Sequence, residues 1–546
     1  MIHLLKNNKK TVIFIIIILV AFIQRGATLF VEFYDVDELT DVIMTSEIVE
    51  GGKLYIDAIP GRPVYFAFFY TIFKAFGSYN IIALHFFTII WIIATSYVIY
   101  RIARELFHEE AGYFAALFYV IFVSGFFEYY LAVHGEIIYN LPVSLSFYFF
   151  ILAEKEEKAY LHYFLAGVFA GISILTKGQT LLLPVYFFVY LVFVKSIVSK
   201  QLLINIRRGL LIFSGFVTLL LVFSYIIYQM GVLDNFITFY WSGGIHYTLH
   251  GFSQADLMER FFPKIGQNSL AQAPLWLLFF YYLIHEKWLK TRETNHSMIL
   301  LFFGISFLGI FMGGSRFYNH YFLQYLPALC VIAGYGIVLF VNRWIERKRI
   351  IQFANIIIYL SVIVYSTWNY TIAYNAHYNI ENTKPFNHGV IARKEYKEVS
   401  EWIKANSRPT DRIVQWGDCI EIYYFSQRRP GMRFIWASLY TNFAADSNKT
   451  SSATKFSPEK LASRKKLSEK KQWSFNTQED IEYSIIIDLD NKKPRYIIDT
   501  APSNFRGFGK YPLEKFYILY DYIKRKYQYK RTLDKMKIYE IIPSDK

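Results

Sequence analysis

Three carboxylates within four positions follow the first apolar segment of the chain, in Tyr34-Asp35-Val36-Asp37-Glu38. A carboxylate here can act as a general base that takes a proton from an attacking hydroxyl or amine. The same acids also suit the first turn of a helix over 38–50, where negative charge is favourable. Asp35-Val36-Asp37 matches a short metal-binding pattern as well, although hard cations need further oxygen ligands. The sequence nominates Asp37 and Glu38 as catalytic residues, with helix capping as the alternative.

A second candidate acid, Glu136, lies in a later polar segment just before an apolar stretch that begins near Ile138. Ionisable groups at the depth of a membrane surface usually face a cavity rather than lipid. Glu136 is therefore predicted to share a membrane face with Asp37 and is the third catalytic candidate, with an ordinary interfacial acid as the alternative. The neighbouring His134 is assigned a structural role.

Four basic or imidazole side chains are candidates for binding a phosphate group. Lys177 separates two apolar stretches joined by almost no loop, and Arg316 follows two glycines with His320 about one turn further along. An arginine fork suits bidentate phosphate contacts, and converging cations can stabilise a departing phosphate. Arg62 is the remaining candidate. For Lys177 and Arg316 the alternative is that the side chain merely reaches the lipid headgroups.

No cofactor is assigned from the sequence, and a divalent metal is left open. His246 and His250 could share a metal only on a helix, and the glycines nearby argue against a helix there. No metal-ligand set is therefore nominated.

Composition requires that these residues be held by membrane helices. Hydrophobic residues make up 54% of the 546 positions and aromatic residues 20%, and apolar segments of bilayer length recur through the first two-thirds. Two cysteines exclude a disulfide framework. We predict an α-helical multi-spanning membrane protein with about eleven transmembrane helices. Their predicted positions are 11–31, 79–100, 111–127, 138–153, 160–176, 179–195, 209–229, 271–286, 297–314, 321–341 and 350–370.

The net charge of +15 follows the predicted topology and does not indicate nucleic-acid binding. Most cations lie in short loops on one side of the spans, and the positive-inside rule makes that side cytoplasmic. The N-terminus is then cytoplasmic, and the acidic loop and the chain beyond residue 370 lie outside. Segments 37–50 and 62–76 are predicted to be interfacial helices on the outer face. On the first of these, Asp37 and Asp41 would share a face.

The composition changes after about residue 370, where helix and strand patterns alternate. Residues 371–546 are predicted to form a small extracytoplasmic α/β domain, separate from the transmembrane domain at 1–370. Strands are expected at 412–416, 433–436 and 496–499. Helices are expected near 391–406, 418–426, 478–486 and 513–526. The polar stretch 445–472 is predicted to be a mobile insertion.

With these residues in order, the chain resembles the polytopic GT-C glycosyltransferases that use lipid-phosphate sugars. The nearest branch is that of the protein O-mannosyltransferases and the lipid A aminoarabinose transferase. The motifs that carry the resemblance are Asp37-Glu38, Gly51-Gly52-Lys53-Leu54-Tyr55-Ile56-Asp57, Glu136, Ile174-Leu175-Thr176-Lys177-Gly178, Arg316-Phe317-Tyr318-Asn319-His320-Tyr321-Phe322, Leu326-Pro327-Ala328, Val399-Ser400-Glu401-Trp402-Ile403 and Arg412-Ile413-Val414-Gln415-Trp416-Gly417.

The resemblance implies an inverting single displacement from a polyprenyl-phosphate sugar to an envelope lipid, glycan or protein at the outer face of a bacterial cytoplasmic membrane. Asp37 would be the base or acceptor-binding carboxylate, supported by Glu38, and Glu136 would match a second acidic position. Lys177 and Arg316 would hold the donor phosphate. The early acidic motif does not name the acceptor, because relatives with different acceptors share it.

Two other function classes stay open at the level of sequence. A transporter or flippase of lipid-linked glycans would show inverted repeats and polar residues at mid-membrane, whereas here the informative residues lie at the outer rim. A non-catalytic relative that recruits envelope enzymes is the other alternative, and the presence of Asp37 and Glu136 argues against it.

Overall fold

The structure is a computed structural model. It describes residues 9–31, 33–125, 127–156, 159–245, 248–249, 257–286, 294–344, 347–378, 393–435, 440, 455–469 and 477–543. His246, His250 and residues 445–454 and 470–472 of the predicted insertion lie outside these ranges.

Helices dominate the first two-thirds of the chain. They are α1 Lys9–Arg25, α2 Val36–Val49, α3 Pro63–Phe76, α4 Ile81–Leu106, α5 Glu109–Phe122, α6 Gly135–Lys155, α7 Tyr160–Thr176, α8 Leu182–Val189, α9 Leu202–Gln229, α10 Leu257–Ala271, α11 Ala273–His285, α12 Thr294–Leu308, α13 Leu326–Trp344 and α14 Arg347–Tyr378.

Within the described ranges, seven helical stretches are long and apolar enough to cross a bilayer, which makes the chain a multi-pass membrane protein. They are Lys10–Phe30, Ile81–Leu106, Gly135–Lys155, Gly178–Lys195, Leu202–Gln229, Asn295–Gly313 and Leu326–Arg343. Helical structure lies at each of the eleven predicted positions. The number that spans stays a prediction.

Small residues let the membrane helices approach closely. A Cβ added at Gly167 on α7 would collide with the carbonyl oxygen of Ile212 on α9, and one at Gly215 would collide with that of Phe164. Close backbone contact of this kind is how membrane helices associate where lipid offers no hydrophobic driving force. Polar contacts join other helices. The buried Asn369 on α14 donates to the carbonyls of Gln24 and Ser124 at 3.0 and 2.8 Å.

The two helices predicted to be interfacial are both present. Helix α2 ends before Gly51, whose φ of +97° few other residues adopt. Helix α3 has Pro63 at its first position, where proline is favoured because its missing N–H would be unsatisfied anyway. The two helices pack against each other, and the acidic triplet lies at the N-terminal end of α2. Their place at the outer membrane surface stays a prediction.

The tail contains a five-stranded sheet of order β2-β1-β3-β5-β4. The first three strands are parallel and the last two are antiparallel. The tail's elements are α15 Arg393–Asn406, β1 Arg412–Trp416, α16 Glu421–Ser426, β2 Arg429–Pro430, α17 Pro458–Glu469, α18 Gln478–Lys492, β3 Tyr496–Asp499, α19 Tyr517–Lys526, β4 Tyr527–Leu533 and β5 Met536–Ile541.

One strand prediction was wrong. Residues 433–435 lie beside the sheet without pairing in it, and the strand next to β1 is the shorter β2. The reason is a buried ion pair: Arg433 contacts Asp488 on α18 at 2.5 Å, and its backbone N–H donates to the same carboxylate at 2.8 Å. These contacts bind residues 433–435 to helix α18, so the segment does not pair with a strand of the sheet. The β4–β5 hairpin was not predicted.

The tail packs directly on helices α2 and α3. Apolar residues of α2 and α3 share one continuous core with Val399, Ile403 and Ile422 of the tail. Charged contacts cross the same boundary. Arg412 and Arg429 both contact the buried Glu47 of α2, at 3.0 and 2.9 Å.

Candidate active site

Asp37 lies in the first turn of α2 and is half-buried. Asp35 precedes the helix, and its buried side chain makes no capping hydrogen bond. Oxygens of Asp35 and Asp37 and a ring nitrogen of His134 lie within 4.8 Å of one another. Burial, and next the charge of Asp37, raise the pKa of Asp35 well above its ordinary value. The acids therefore turn toward a polar cluster as well as opening a helix.

Glu38 points away from this cluster and into the protein. One carboxylate oxygen lies 2.7 Å from Nε2 of His85 and accepts the backbone N–H of Val133 at 3.3 Å. The other accepts the N–H of Tyr34 at 3.0 Å. Glu38 thus ties α2 to helix α4 and to the loop before His134. Its geometry is that of a positioning residue.

Arg25 holds the same loop from the other side. The buried guanidinium donates to the carbonyls of Tyr130 and Leu131 at 2.7 and 2.6 Å. The hydroxyl of Tyr65 on α3 donates to the carbonyl of Val133. The two charge-assisted bonds from Arg25 and the bond from Tyr65 fix the backbone just ahead of His134 and Glu136.

Asp41, one turn after Asp37, forms an ion pair with Arg62. The guanidinium also lies over the ring of Tyr65, 4.4 Å from its centroid. Burial raises the pKa of Asp41 to about 6 even though Arg62 pulls it down. The same partner raises the pKa of Arg62, which stays charged throughout the physiological range.

Glu136 and Lys177 form a second ion pair at 2.5 Å. Glu136 is fully buried, and its other oxygen has no hydrogen-bond partner among the residues that the structure describes. The Lys177 ammonium lies 4.6 Å from the ring centroid of Tyr321, and burial lowers its pKa. A Cβ at Gly135 would contact both Lys177 and Arg62, so this glycine lets the two cations share one small space.

His134 and His320 stack in parallel, with ring centroids 3.9 Å apart. Nε2 of His134 lies 3.3 Å from Asp35. Burial, followed by the charge of Lys177, lowers the pKa of His134, and burial also lowers that of His320, so both rings are neutral at pH 7. His134, assigned a structural role from sequence, therefore lies at the centre of the cluster.

Arg316 belongs to the segment that also carries His320. It is half-buried and donates to the carbonyl of Gly313 at 3.4 Å. Ser315 and Phe317 on either side have φ of +56° and +50°, an unfavourable conformation for such residues. Backbone strain of this kind often marks a functional segment.

The cluster contains residues that could hold a divalent metal. His134, Glu136 and His320 each offer a ligand atom within 4.8 Å of the other two, as do Asp35, Asp37 and His134. Two imidazoles and a carboxylate suit Zn²⁺, and the second oxygen of Glu136 is available. Lys177 already compensates the charge of Glu136 and would compete with such an ion.

The sequence identified most of the charged residues of this cluster one at a time, but it did not identify two acids as candidates. Asp35 was noted only as part of a metal pattern. Asp418, in the tail, was not considered: burial raises its pKa to about 6 even though the charge of Arg506 lowers it. The next two residues, Cys419 and Ile420, share a core with Phe33 and Leu39, so this part of the tail packs near the acidic triplet. A glycine-acid pair directly after a strand, as in Gly417-Asp418, was the available signal.

Comparison with solved structures gives the fold. The chain superposes on ArnT from Cupriavidus metallidurans bound to undecaprenyl phosphate with a TM-score of 0.57 and 12% identity, over 98% of this chain and 99% of that one. It also superposes on the oligosaccharyltransferase AglB from Archaeoglobus fulgidus, solved with an inhibitory peptide and a dolichol-phosphate. That match has a TM-score of 0.55 and 11% identity, over 96% of this chain and 73% of that one. The chain has the GT-C fold.

A family model agrees with the GT-C assignment. The model described as dolichyl-phosphate-mannose-protein mannosyltransferase matches residues 61–230, less than a third of the chain. Arg62, Glu136 and Lys177 lie inside the matched region, and Asp37 lies before it. No curated protein matches the chain. The predicted fold class is confirmed: a helical GT-C membrane protein with a small sheet region near its C-terminus.

Proposed function

We propose that the chain is an integral-membrane glycosyltransferase. It transfers a sugar from a polyprenyl-phosphate donor to an envelope lipid, glycan or protein at the outer face of a bacterial cytoplasmic membrane. The observation that carries the proposal is a polar cluster in a GT-C fold: the half-buried Asp37 lies within 4.8 Å of His134, and the cations Arg62 and Lys177 meet around the adjacent Gly135. A base next to a phosphate-binding wall is the arrangement that sugar transfer from a lipid phosphate requires.

The solved structures support the class of donor. ArnT was solved with undecaprenyl phosphate and AglB with a dolichol-phosphate. Both ligands are long-chain lipids that carry a phosphate. The matched family is described by a dolichyl-phosphate-linked sugar as well.

In the proposed reaction Asp37 accepts the proton of the acceptor hydroxyl or amine. The acceptor atom forms a bond to the anomeric carbon as the bond from that carbon to the phosphate oxygen breaks. The electron pair leaves with the polyprenyl phosphate, and the single displacement inverts the configuration at the anomeric carbon.

Arg62 and Lys177 would stabilise the departing phosphate. Each has a carboxylate partner, yet each keeps N–H donors that its partner does not use: Arg62 contacts Asp41 through Nη2, and Lys177 contacts Glu136 through one oxygen. Glu136 would hold Lys177 in place, and His320 with Arg316 would contribute further donor contacts. Glu38 would position α2 through its bonds to His85 and Val133.

A divalent cation, if the enzyme uses one, would be held by His134, Glu136 and His320 and would act as a Lewis acid toward the phosphate oxygens. The oligosaccharyltransferase of Archaeoglobus fulgidus was also solved with Zn and sulfate. Whether this chain requires a metal is decided by measuring transfer before and after chelation and on addition of Zn²⁺ or Mn²⁺.

The test is an assay that separates transfer from transport. The purified chain is reconstituted in liposomes with a radiolabelled polyprenyl-phosphate sugar and an envelope extract. Covalent labelling of an acceptor, abolished in Asp37→Asn and retained in Asp234→Asn, supports the proposal. Asp234 is a suitable control because it is an exposed acid outside the cluster. Movement of intact donor across the bilayer without transfer, unchanged in Asp37→Asn, would show a flippase instead.

A further inference from the structure

A groove on the far edge of the tail is lined by tyrosines and lysines. Its volume is about 470 Å³, and it lies between helix α19 and the β4–β5 hairpin. The lining residues are Tyr520, Lys524, Tyr527, Tyr529, Thr532, Lys537 and Tyr539. We call this the tyrosine groove.

The hairpin register builds the floor of the tyrosine groove. Tyr529 lies opposite Tyr539, and Thr532 lies opposite Lys537, so these side chains share one face. The rings of Tyr529 and Tyr539 meet edge to face with centroids 6.2 Å apart. The Tyr529 hydroxyl lies 3.0 Å from that of Thr532. A register shift between Tyr529 and Arg531 twists this edge locally, as β-bulges do beside binding sites.

Helix α19 forms the wall. Tyr520 and Lys524 are one turn apart on it and therefore lie on the same side. The Lys524 ammonium lies 4.9 Å from the centroid of the Tyr520 ring. Lys537, from the floor, contacts Glu514 at 2.9 Å. The groove thus combines aromatic rings with amino groups that can reach a ligand.

The surroundings of the groove carry a surplus of positive charge. Residues 514–540 contain eight Lys or Arg and four Asp or Glu, of which Glu514 pairs with Lys537 and Glu540 with Lys530. Such a surplus attracts anions, and tyrosines offer an apolar face together with a hydroxyl. Sugar rings present C–H faces and hydroxyls to such side chains. An anionic sugar chain complements both properties, whereas a simple anion would use only the charge.

We propose that the tyrosine groove binds an anionic glycan, in a site separate from the cluster around Asp37. The separation follows from the sheet. Strands β1 and β2 face helix α2 through Arg412 and Arg429, and β4 is the strand at the opposite edge. The inference goes beyond the proposed function and does not depend on it, because binding needs no turnover.

A lipid surface fits the groove less well. Membrane-binding surfaces bury projecting apolar side chains, and here Tyr527 and Tyr539 are 3% and 8% exposed. Tyr529 is 59% exposed and forms the accessible ring of a concave site. Anionic vesicles are therefore an alternative that the experiment must separate from glycan.

The experiment measures binding of the full-length protein in detergent to polygalacturonate and to phosphorylated dextran. Methyl-esterified polygalacturonate and plain dextran are the matched neutral probes, and inorganic polyphosphate reports charge alone. We expect binding to at least one anionic glycan, and weaker binding to its neutral counterpart and to polyphosphate. Tyr529→Ala and Lys524→Ala should each raise Kd at least about fivefold.

Two exposed residues outside the groove serve as controls. Tyr517 is 56% exposed, similar to Tyr529, and Lys404 is an exposed lysine on α15. Tyr517→Ala and Lys404→Ala should leave Kd unchanged, and thermal unfolding should show that all four variants fold. The proposal is overturned if neither anionic glycan binds, if Tyr529→Ala binds as well as the wild type, or if only phosphatidylglycerol vesicles bind.

Discussion

Glu136 and Lys177 form one charge pair in the interior, so the removal of either residue takes away the direct partner of the other. Lys177→Met should lower the free energy of unfolding by about 3–5 kcal/mol, the usual cost of breaking a buried pair. The double variant Glu136→Gln/Lys177→Met should recover much of that loss because neither of the two positions then carries a charge. Thermal unfolding in detergent measures both effects.

The exposed pair Lys397–Glu401, 3.9 Å apart, is the matched control. Lys397→Met should cost less than about 1 kcal/mol, because water screens an exposed pair. An equal loss of unfolding free energy in Lys177→Met and Lys397→Met would contradict the claim that the Glu136–Lys177 pair is shielded from water. Sugar transfer should stay impaired in the double variant even where stability recovers, since the proposed phosphate contact is lost with Lys177.

Protonation of Asp41 should reduce sugar transfer on the acid side of its pH profile. Its pKa is raised to about 6, so the carboxylate is ionised at pH 7 and gains its proton as the pH falls through 6. Below that pH, Arg62 loses its charged partner and its orientation. We expect kcat/KM to fall below about pH 6 in the wild type. Asp41→Asn should have a lower plateau and lack this fall; an unchanged fall would assign it to another group.

Sequence alone identified Asp37, Glu136, Lys177 and Arg62 as candidates, and the structure brings these four into one cluster. It could not tell which way a side chain in the first turn of α2 faces. Asp37 and Glu38 are neighbours, yet one faces the cluster and the other binds His85. Sequence could not reveal the surroundings of His134 either, because its stacking on His320 joins residues distant in sequence. Its structural role stays a prediction.

At the scale of elements, helix α2 connects the tail to the site. Its N-terminal end carries Asp37, and its C-terminal end carries Glu47, which is held by Arg412 and Arg429. Arg429→Met should loosen α2 and reduce kcat by about 10- to 100-fold, since small displacements of a catalytic group are costly. Donor affinity should change little.

Backbone hydrogen exchange over residues 36–49 measures directly whether helix α2 is loosened in Arg429→Met. Exchange should rise in Arg429→Met and stay at the wild-type level in Lys460→Met, which breaks an exposed tail pair with Glu479. A fall in kcat with unchanged exchange at α2 would show that Arg429 acts in some other way.

The membrane helices were predictable because an apolar segment of bilayer length must satisfy its backbone hydrogen bonds internally, and an α-helix does so within one segment. The tail was harder. Strands β1 and β3 are mostly apolar, with Ile413-Val414 in one and Tyr496-Ile497-Ile498 in the other, and were found. The hairpin β4–β5 is polar on its exposed edge strand. The wrongly predicted strand at 433–435 shows that apolar residues can be buried without joining a sheet. Phe434 and Ile435 are buried beside the Arg433–Asp488 pair and do not pair with a strand.

For the whole molecule, the proposed topology places the tail outside and the short basic loops inside. Cys330 and Cys419 are both buried, so a membrane-impermeant maleimide should label an introduced cysteine with little background. Lys515→Cys in the tail should react in intact cells. Gln201→Cys, in a predicted cytoplasmic loop, should react only after permeabilisation. The reverse pattern would invert the topology and move the Asp37 cluster to the cytoplasmic face.

The overall architecture was open to prediction because hydropathy and loop charge act over many residues and tolerate local errors. The contact between the tail and helices α2 and α3 could not be predicted from the sequence. It depends on single long-range pairs such as Arg412–Glu47, which no local pattern reveals.

The central claim, that Asp37 is the base of a glycosyl transfer, is tested most directly by comparing turnover with donor binding in one variant. The steady-state kcat and the donor Kd are measured for wild type and Asp37→Asn in the same detergent. We expect kcat to fall by about 10²–10⁴-fold while donor Kd stays within a small factor, because the proton acceptor is lost and the phosphate contacts remain. Wild-type turnover in Asp37→Asn, or a loss of activity explained entirely by lost donor binding, would contradict the assignment.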